Sequence, residues 1–174
     1  MAFLIDGYNL MYAVGVYPAS ADRAAFDAAR RRFLDWLAGQ SPLKTVPVRV
    51  VLDAQHATRD HGTTTHNGLV VTYSYNQTAD DLIETLIATD KNPQRLRVVS
   101  NDNRIRLAAR RGRCHVFSCE TFIDWLQAGG RGADEKPTPA PRPTTDKPQP
   151  LSDEMEEYLK AFTVPLPSSV RKLR

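Results

Sequence analysis

Three apolar runs in this chain end on an acid: "AFLID" closes on Asp6, "VRVVLD" on Asp53 and "LRVVSND" on Asp102. A further segment, "TADDLIETL", carries Asp80 and Glu84 four residues apart, hence on one helix face, with Asp81 turned away from them. Asn9 follows Asp6 in "DGYN". Carboxylates gathered at one rim repel each other and hold raised pKa values unless a cation neutralises them. Hard divalent ions such as Mg2+ or Mn2+ do this with a few carboxylates and water. A site of that kind sets an activated water in line with a phosphodiester and stabilises the leaving oxygen, so the chemistry expected is phosphodiester hydrolysis.

Each residue also has a plainer use, because Asp and Asn favour turns and helix caps whatever their chemistry. Asp6-Gly7 reads alone as a turn, Asp53 as a strand-end turn, Asp102 as the cap of a helix over 103–111, and Asp81 as the capping partner of Thr78. Together, acids after three separate strands and in the first turn of a following helix are better explained by one shared site.

Other candidates carry less. His56, His61 and His66 are five apart in a polar stretch, a spacing that aligns them on neither a helix nor a strand face, so they read as exposed loop residues rather than zinc ligands. Cys114 and Cys119 have no Cys-x-x-Cys and no histidine at zinc spacing, and read as small core residues. Arg104, Arg106, Arg110, Arg111 and Arg113 cluster after Asp102, while Tyr8, Tyr12, Tyr73 and Tyr75 lie near other strand ends. A basic and aromatic rim beside an acidic centre suits single-stranded RNA, through phosphate contacts and base stacking.

The elements that must position these residues follow from periodicity. Strands are expected over 2–5, 46–53, 69–75, 95–102 and "CHVFS", with "AQHATRDHGTTTHNG" as a polar loop. Apolar residues at helical spacing predict helices over 22–38, 79–89, 103–111 and 120–126, the second capped by Thr78 and the third stopped by Gly112. Strands alternating with helices imply crossover connections and a mainly parallel sheet covered on both faces, with sites at the carboxyl ends of the strands.

After about residue 127 the composition shifts to Gly, Pro and charge, which cannot bury a core. The expected organisation is a domain over 1–127, a disordered linker over 128–150 and a helical segment over 151–174. In the last segment Ser152 caps a short helix bearing Met155, Leu159 and Phe162; unstable alone, it is expected to dock. No run is long and apolar enough to span a bilayer and the first residues lack signal-peptide character, so a cytoplasmic location is expected. The net charge of +3 permits a nucleic-acid partner without arguing for one.

"FLIDGYNLM", "VRVVLDAQ", "NGLVVTYSYNQTADDLIETLI" and "LRVVSNDNRIRLAARRG", in that order, resemble the NYN domain, specifically its YacP-like branch among the PIN-like nucleases. The resemblance spans residues 2–127. It implies a PIN-like three-layer α/β fold with a central, mainly parallel sheet, a Mg2+ or Mn2+ site and endoribonuclease activity, in some relatives on messenger RNA at the ribosome. Carried over by position, Asp6 and Asn9 of "DGYN", Asp80 of "TAD" and Asp102 of "SND" match the family's acidic site. Asp53 and Glu84 match positions commonly acidic in relatives. The longer His-containing loop departs from the family's pattern, as do the Pro-rich linker and C-terminal helix.

The sequence therefore leads to a cytoplasmic, metal-dependent endoribonuclease acting on single-stranded RNA. Asp6, Asp80 and Asp102 are expected to bind the metal and Asn9 to orient a ligand or the scissile phosphate. Asp53 or Glu84 would hold a second metal or a coordinated water. A rival keeps the fold without turnover: an RNA- or ribosome-binding module whose segment 151–174 recruits a partner or covers the site. Phosphatase chemistry of the haloacid dehalogenase kind needs a second aspartate two residues after the first, where this chain has Tyr8.

Overall fold

In the computed structural model, which describes residues 1–17, 23–53 and 62–131, the apolar runs form one six-stranded sheet. Its strands are β1 (Ala2–Asp6), β2 (Val48–Asp53), β3 (Thr63–His66), β4 (Leu69–Ser74), β5 (Leu96–Val99) and β6 (His115–Phe117), in the order β3-β4-β2-β1-β5-β6. All neighbours are parallel except β3 and β4. Helices α1 (Gly7–Ala13), α2 (Arg23–Ala38), α3 (Ala79–Thr89), α4 (Asn103–Arg111) and α5 (Cys119–Gln127) cover the two faces.

Alternation along each strand divides the core, since successive side chains point to opposite faces. Phe3, Ile5, Val50 and Leu52 pack with Leu10, Phe33, Leu37, Phe122 and Trp125 of α1, α2 and α5. Leu4, Val51 and Val98 pack on the other side with Ile83, Ile87, Ile105 and Ala109 of α3 and α4. Buried on both faces, the central strands read as continuous apolar runs, which is the mark of a parallel sheet. The expected three-layer α/β fold is what these residues build.

Two elements differ from the sequence expectation. Thr63–His66 is a strand, not loop: it pairs antiparallel with β4, Thr63 opposite Thr72 and Thr65 opposite Val70. Its residues are exposed or half-exposed at a sheet edge, so no apolar alternation marks it. The signal lay in Asn67-Gly68, both with positive φ (46° and 91°), the geometry of a tight hairpin turn. The hairpin brings His66 to Asp35 of α2, 2.7 Å from Nε2 to Oδ1, so this histidine is paired rather than merely loop-borne. His56 and His61 lie outside the described residues.

The second difference is α1, which starts directly after Asp6 where a turn and loop were expected. Gly7 permits this by allowing close approach: a Cβ there would stand 2.8 Å from the Val51 carbonyl oxygen and would collide with the Leu52 side chain. Cys114 and Cys119 are buried and unbridged, as expected of core residues.

The chain divides into two units, Met1–Ala140 and Pro141–Arg174. The helix expected within 151–174 and most of the linker fall outside the described residues. Among the described residues no helix is long and apolar enough to cross a membrane.

Candidate active site

Parallel pairing carries the acids to one edge. Ile5 stands opposite Val99, and Asp53 opposite Ser74, so Asp6, Asp53 and the residues just beyond β5 all leave the sheet at its carboxyl rim. Asp6 is both the last residue of β1 and the N-cap of α1. It is 5% exposed, and its carboxylate is held from two sides. The Asn9 amide donates to Oδ2 at 2.6 Å and the Asn9 backbone N–H to Oδ1 at 3.2 Å. The Ser100 hydroxyl donates to Oδ2 at 2.9 Å. Burial pushes the Asp6 carboxyl above its ordinary value; the Asn9 and Ser100 hydrogen bonds oppose this, and the charge of Asp80 adds to it.

Asp102 caps α4: one oxygen accepts from the Arg104 N–H at 2.6 Å and the Ile105 N–H at 3.3 Å. Its own N–H donates to the Ser100 hydroxyl at 3.0 Å, so Ser100 bridges Asp102 to Asp6. Asp80 sits in the first turn of α3 and makes no hydrogen bond or ion pair among the described residues. Partial burial, then the charge of Asp102, raises its pKa, and Arg104 pulls the other way. Asp6, Asp80 and Asp102 thus meet electrostatically at the rim although they come from three distant points in the chain.

Glu84 and Asp81 are engaged elsewhere. Arg104 donates from Nε to Glu84 at 2.7 Å and from Nη2 to Glu84 at 3.1 Å and to Asp81 at 2.6 Å. These bonds hold Asp81 below the usual carboxylate range. Asp81, which the sequence offered only as a cap partner, therefore helps anchor an arginine beside Asp80. Asn9 is committed in the same way, its amide oriented onto Asp6.

Asp53 ends β2 beside Tyr8, whose phenol donates to the Asp53 carbonyl at 3.1 Å. Burial pushes the Tyr8 pKa up to about 12, so this hydroxyl keeps its proton. Ser100, fully buried, is a residue that the sequence did not single out.

Among the described residues, no three His, Cys, Asp or Glu side chains converge closely enough to hold a metal ion as a ready-made cage. The donor set nevertheless fits a hard divalent cation that keeps several waters, as Mg2+ does. Asp80 is unpartnered among the described residues, Asp102 commits one oxygen to its cap, and burial, with a neighbouring acid adding to it, raises the proton affinity of Asp6 and Asp80.

A family model described as the YacP-like NYN domain matches residues 3–163. It runs through the Pro-rich stretch and beyond residue 127, where the sequence resemblance had been taken to end. Among solved structures, the chain is similar to Rae1 (YacP) from Bacillus subtilis, at 23% identity and a TM-score of 0.59, over 75% of this chain and 76% of that one. A tryptophan-to-leucine mutant of the same protein matches at 23% identity and a TM-score of 0.55, over 75% and 77%. No curated protein sequence matches.

Proposed function

The chain belongs to the YacP-like NYN domain family, a nuclease-like family, and from that premise we propose that it is a divalent-metal-dependent endoribonuclease. One observation supports the reading: Asp6 and Asp102 share the Ser100 hydroxyl, and Asp80, from a third element, adds its charge to Asp6 and feels that of Asp102. Acids from separate elements that act on one another's titration, one of them, Asp80, without a hydrogen-bond partner among the described residues, are the kind of cluster found at functional sites.

The cation would be held by Asp6, Asp80 and Asp102, where it would neutralise the acids and activate water toward phosphorus. Asn9 and Ser100 hold the buried Asp6 carboxylate in place, and their hydrogen bonds oppose the burial that raises its pKa. Asp81 and Glu84 fix the Arg104 guanidinium beside Asp80, where its remaining N–H groups are available to a phosphate oxygen. Attack by water rather than by the ribose 2′-hydroxyl leaves a 5′-phosphate and a 3′-hydroxyl. The substrate read from the aromatic rim is single-stranded RNA, and messenger RNA at the ribosome is the form of it that the family resemblance implies.

Incubation of the protein with mixed-sequence RNA, with and without Mn2+, beside the Asp6→Asn and Asp80→Asn variants, tests the proposal. Mn2+-dependent cleavage to 5′-phosphates, lost in both variants, is expected. A 2′,3′-cyclic phosphate product, or cleavage that survives both substitutions, would overturn it. If free RNA stays intact, the same comparison is made on translating ribosomes, and absence of cleavage there too leaves a binding module.

A further inference from the structure

The exposed aromatic rings among the described residues are Tyr12, Tyr17 and Tyr75. Tyr12 lies in α1, which starts directly after Asp6, Tyr17 lies just beyond that helix, and Tyr75 immediately follows β4. Exposed aromatics scattered over a surface need no explanation, but Tyr12 and Tyr17 are joined to each other and to the core.

Tyr12 is the extreme case, 77% exposed, yet it is not left loose. Its ring meets Tyr17 at 6.3 Å in a T-shaped contact. Tyr17 in turn packs against Tyr8 at 6.2 Å and Phe26 at 5.5 Å, both T-shaped, and Phe26 is buried in the core. A ladder of rings thus runs from the interior to a final ring that is mostly in water. Tyr12 is also three residues after Asn9 on the same helix, so their Cβ atoms are about 5–6 Å apart. Asn9 is the residue that holds Asp6, so the open ring lies one helical turn from the reaction centre.

We infer that Tyr12 is a base-stacking platform, supported by Tyr17, that receives an unpaired base of a single-stranded RNA bound across the acidic rim. This rests on the proposed nuclease reading for its ligand and adds to it the residue that selects single strands. In a duplex both faces of a base are covered by its neighbours, whereas an unpaired base is free to lie on a ring, and stacking tolerates any sequence because every base has a π-face. The occupant follows from the ring's place: Asn9, one turn back on the same helix, holds the Asp6 carboxylate, so a strand whose phosphodiester reaches the acids carries its bases past Tyr12.

The test measures equilibrium binding of a short mixed-sequence RNA, single-stranded or annealed, to the full chain carrying Asp80→Asn so that the RNA survives. Single strands are expected to bind more tightly than duplex. Adding Tyr12→Ala should weaken single-strand binding roughly 5- to 150-fold, the range of one lost base stack. Tyr12→Trp should restore it, because a larger ring stacks as well. Because Tyr12 is mostly exposed, neither variant threatens the fold, and a thermal melt checks this. Unchanged binding on Tyr12→Ala, a Tyr12→Trp variant as weak as the alanine one, equal affinity for duplex, or no RNA binding by the parent would overturn the inference; the first would leave the ring as a protein contact. If the pattern holds while the wild-type chain never cleaves RNA with Mn2+, the platform stands and only the nuclease reading falls.

Discussion

The Ser100 hydroxyl and the Asp6 carboxylate meet at 2.9 Å from positions 94 residues apart. The parallel pairing of β1 with β5 sets this contact, one step past the Ile5–Val99 register. The same hydroxyl accepts the Asp102 N–H, so one buried serine ties together two of the three acids proposed to bind the cation.

That arrangement predicts unequal behaviour of two buried serines at the rim. Ser100→Ala removes a donor to a buried carboxylate and an acceptor for a backbone N–H, and is expected to destabilise by about 1–3 kcal/mol and to depress cleavage. Ser74, opposite Asp53, has a buried hydroxyl with no hydrogen-bond partner among the described residues. Ser74→Ala leaves nothing unpaired and should be neutral or slightly stabilising. Urea melts of the two variants check the contrast, and equal losses would refute it.

Gly7 is expected to be irreplaceable for packing rather than for turn geometry. Its φ is not in the left-handed region; what forbids a side chain is β2, with the Val51 carbonyl 2.8 Å from where a Cβ would lie. Gly7→Ala should cost about 1–3 kcal/mol, the usual price of overpacking. A denaturant midpoint unchanged from wild type would show that α1 can shift outward freely.

How far the sequence revealed this follows from where each signal resides. Asp6, Asp80 and Asp102 could be found because each ends or begins an element whose pattern is local: an apolar run before Asp6 and Asp102, the Thr78 cap before Asp80. The helix boundaries of α3 and α4 were legible for the same reason. Ser100 was not, because its importance comes from sheet register and not from its neighbours in the chain. Glu84 looked like a free acid one turn from Asp80, and only the folded chain brings Arg104 across to occupy it. β3 was hidden by its threonines, an edge strand having no buried alternation to display, although Asn67-Gly68 announced the turn.

Divalent ions are expected to stabilise the folded protein without any substrate. A ligand that binds only the native state adds RT ln(1 + [L]/Kd), about 2.7 kcal/mol at a hundredfold excess over Kd. Thermal melts with Mg2+ or Mn2+ should therefore shift upward in the wild type and not in Asp80→Asn. Identical shifts in both would place the cation elsewhere.

The cysteines give a pH signature of their own. Burial pushes the Cys114 thiol to about 11 and Cys119 to about 12, against an ordinary value of 9.0. Raised folded values mean that the native state holds its protons longer than the unfolded one. The associated stability is thus fully present below pH 9 and declines as pH rises toward 11–12. Native protein should also resist thiol alkylation at pH 8 and react fully once denatured. Rapid labelling of the native protein would show that these residues are not the inert core thiols described.

Arg104 separates structural from functional roles most directly. Its ion pairs with Asp81 and Glu84 are solvent-facing, so their contribution to stability is small. Its position is another matter: it pulls down the proton affinity of Asp80 and offsets the charge of two further carboxylates that push it up. Arg104→Ala leaves both acids unneutralised near Asp80, and loss of a supporting residue of this kind typically costs about 10- to 100-fold in metal affinity or activity. Arg104→Lys keeps the charge but not the fork that grips Glu84 through Nε and Nη2, and should recover only part of the loss. The expected result is a near-normal melting temperature with a weakened response to Mn2+ in both variants, more severe for alanine. A normal Mn2+ titration in Arg104→Ala would reduce this arginine to a surface ion pair.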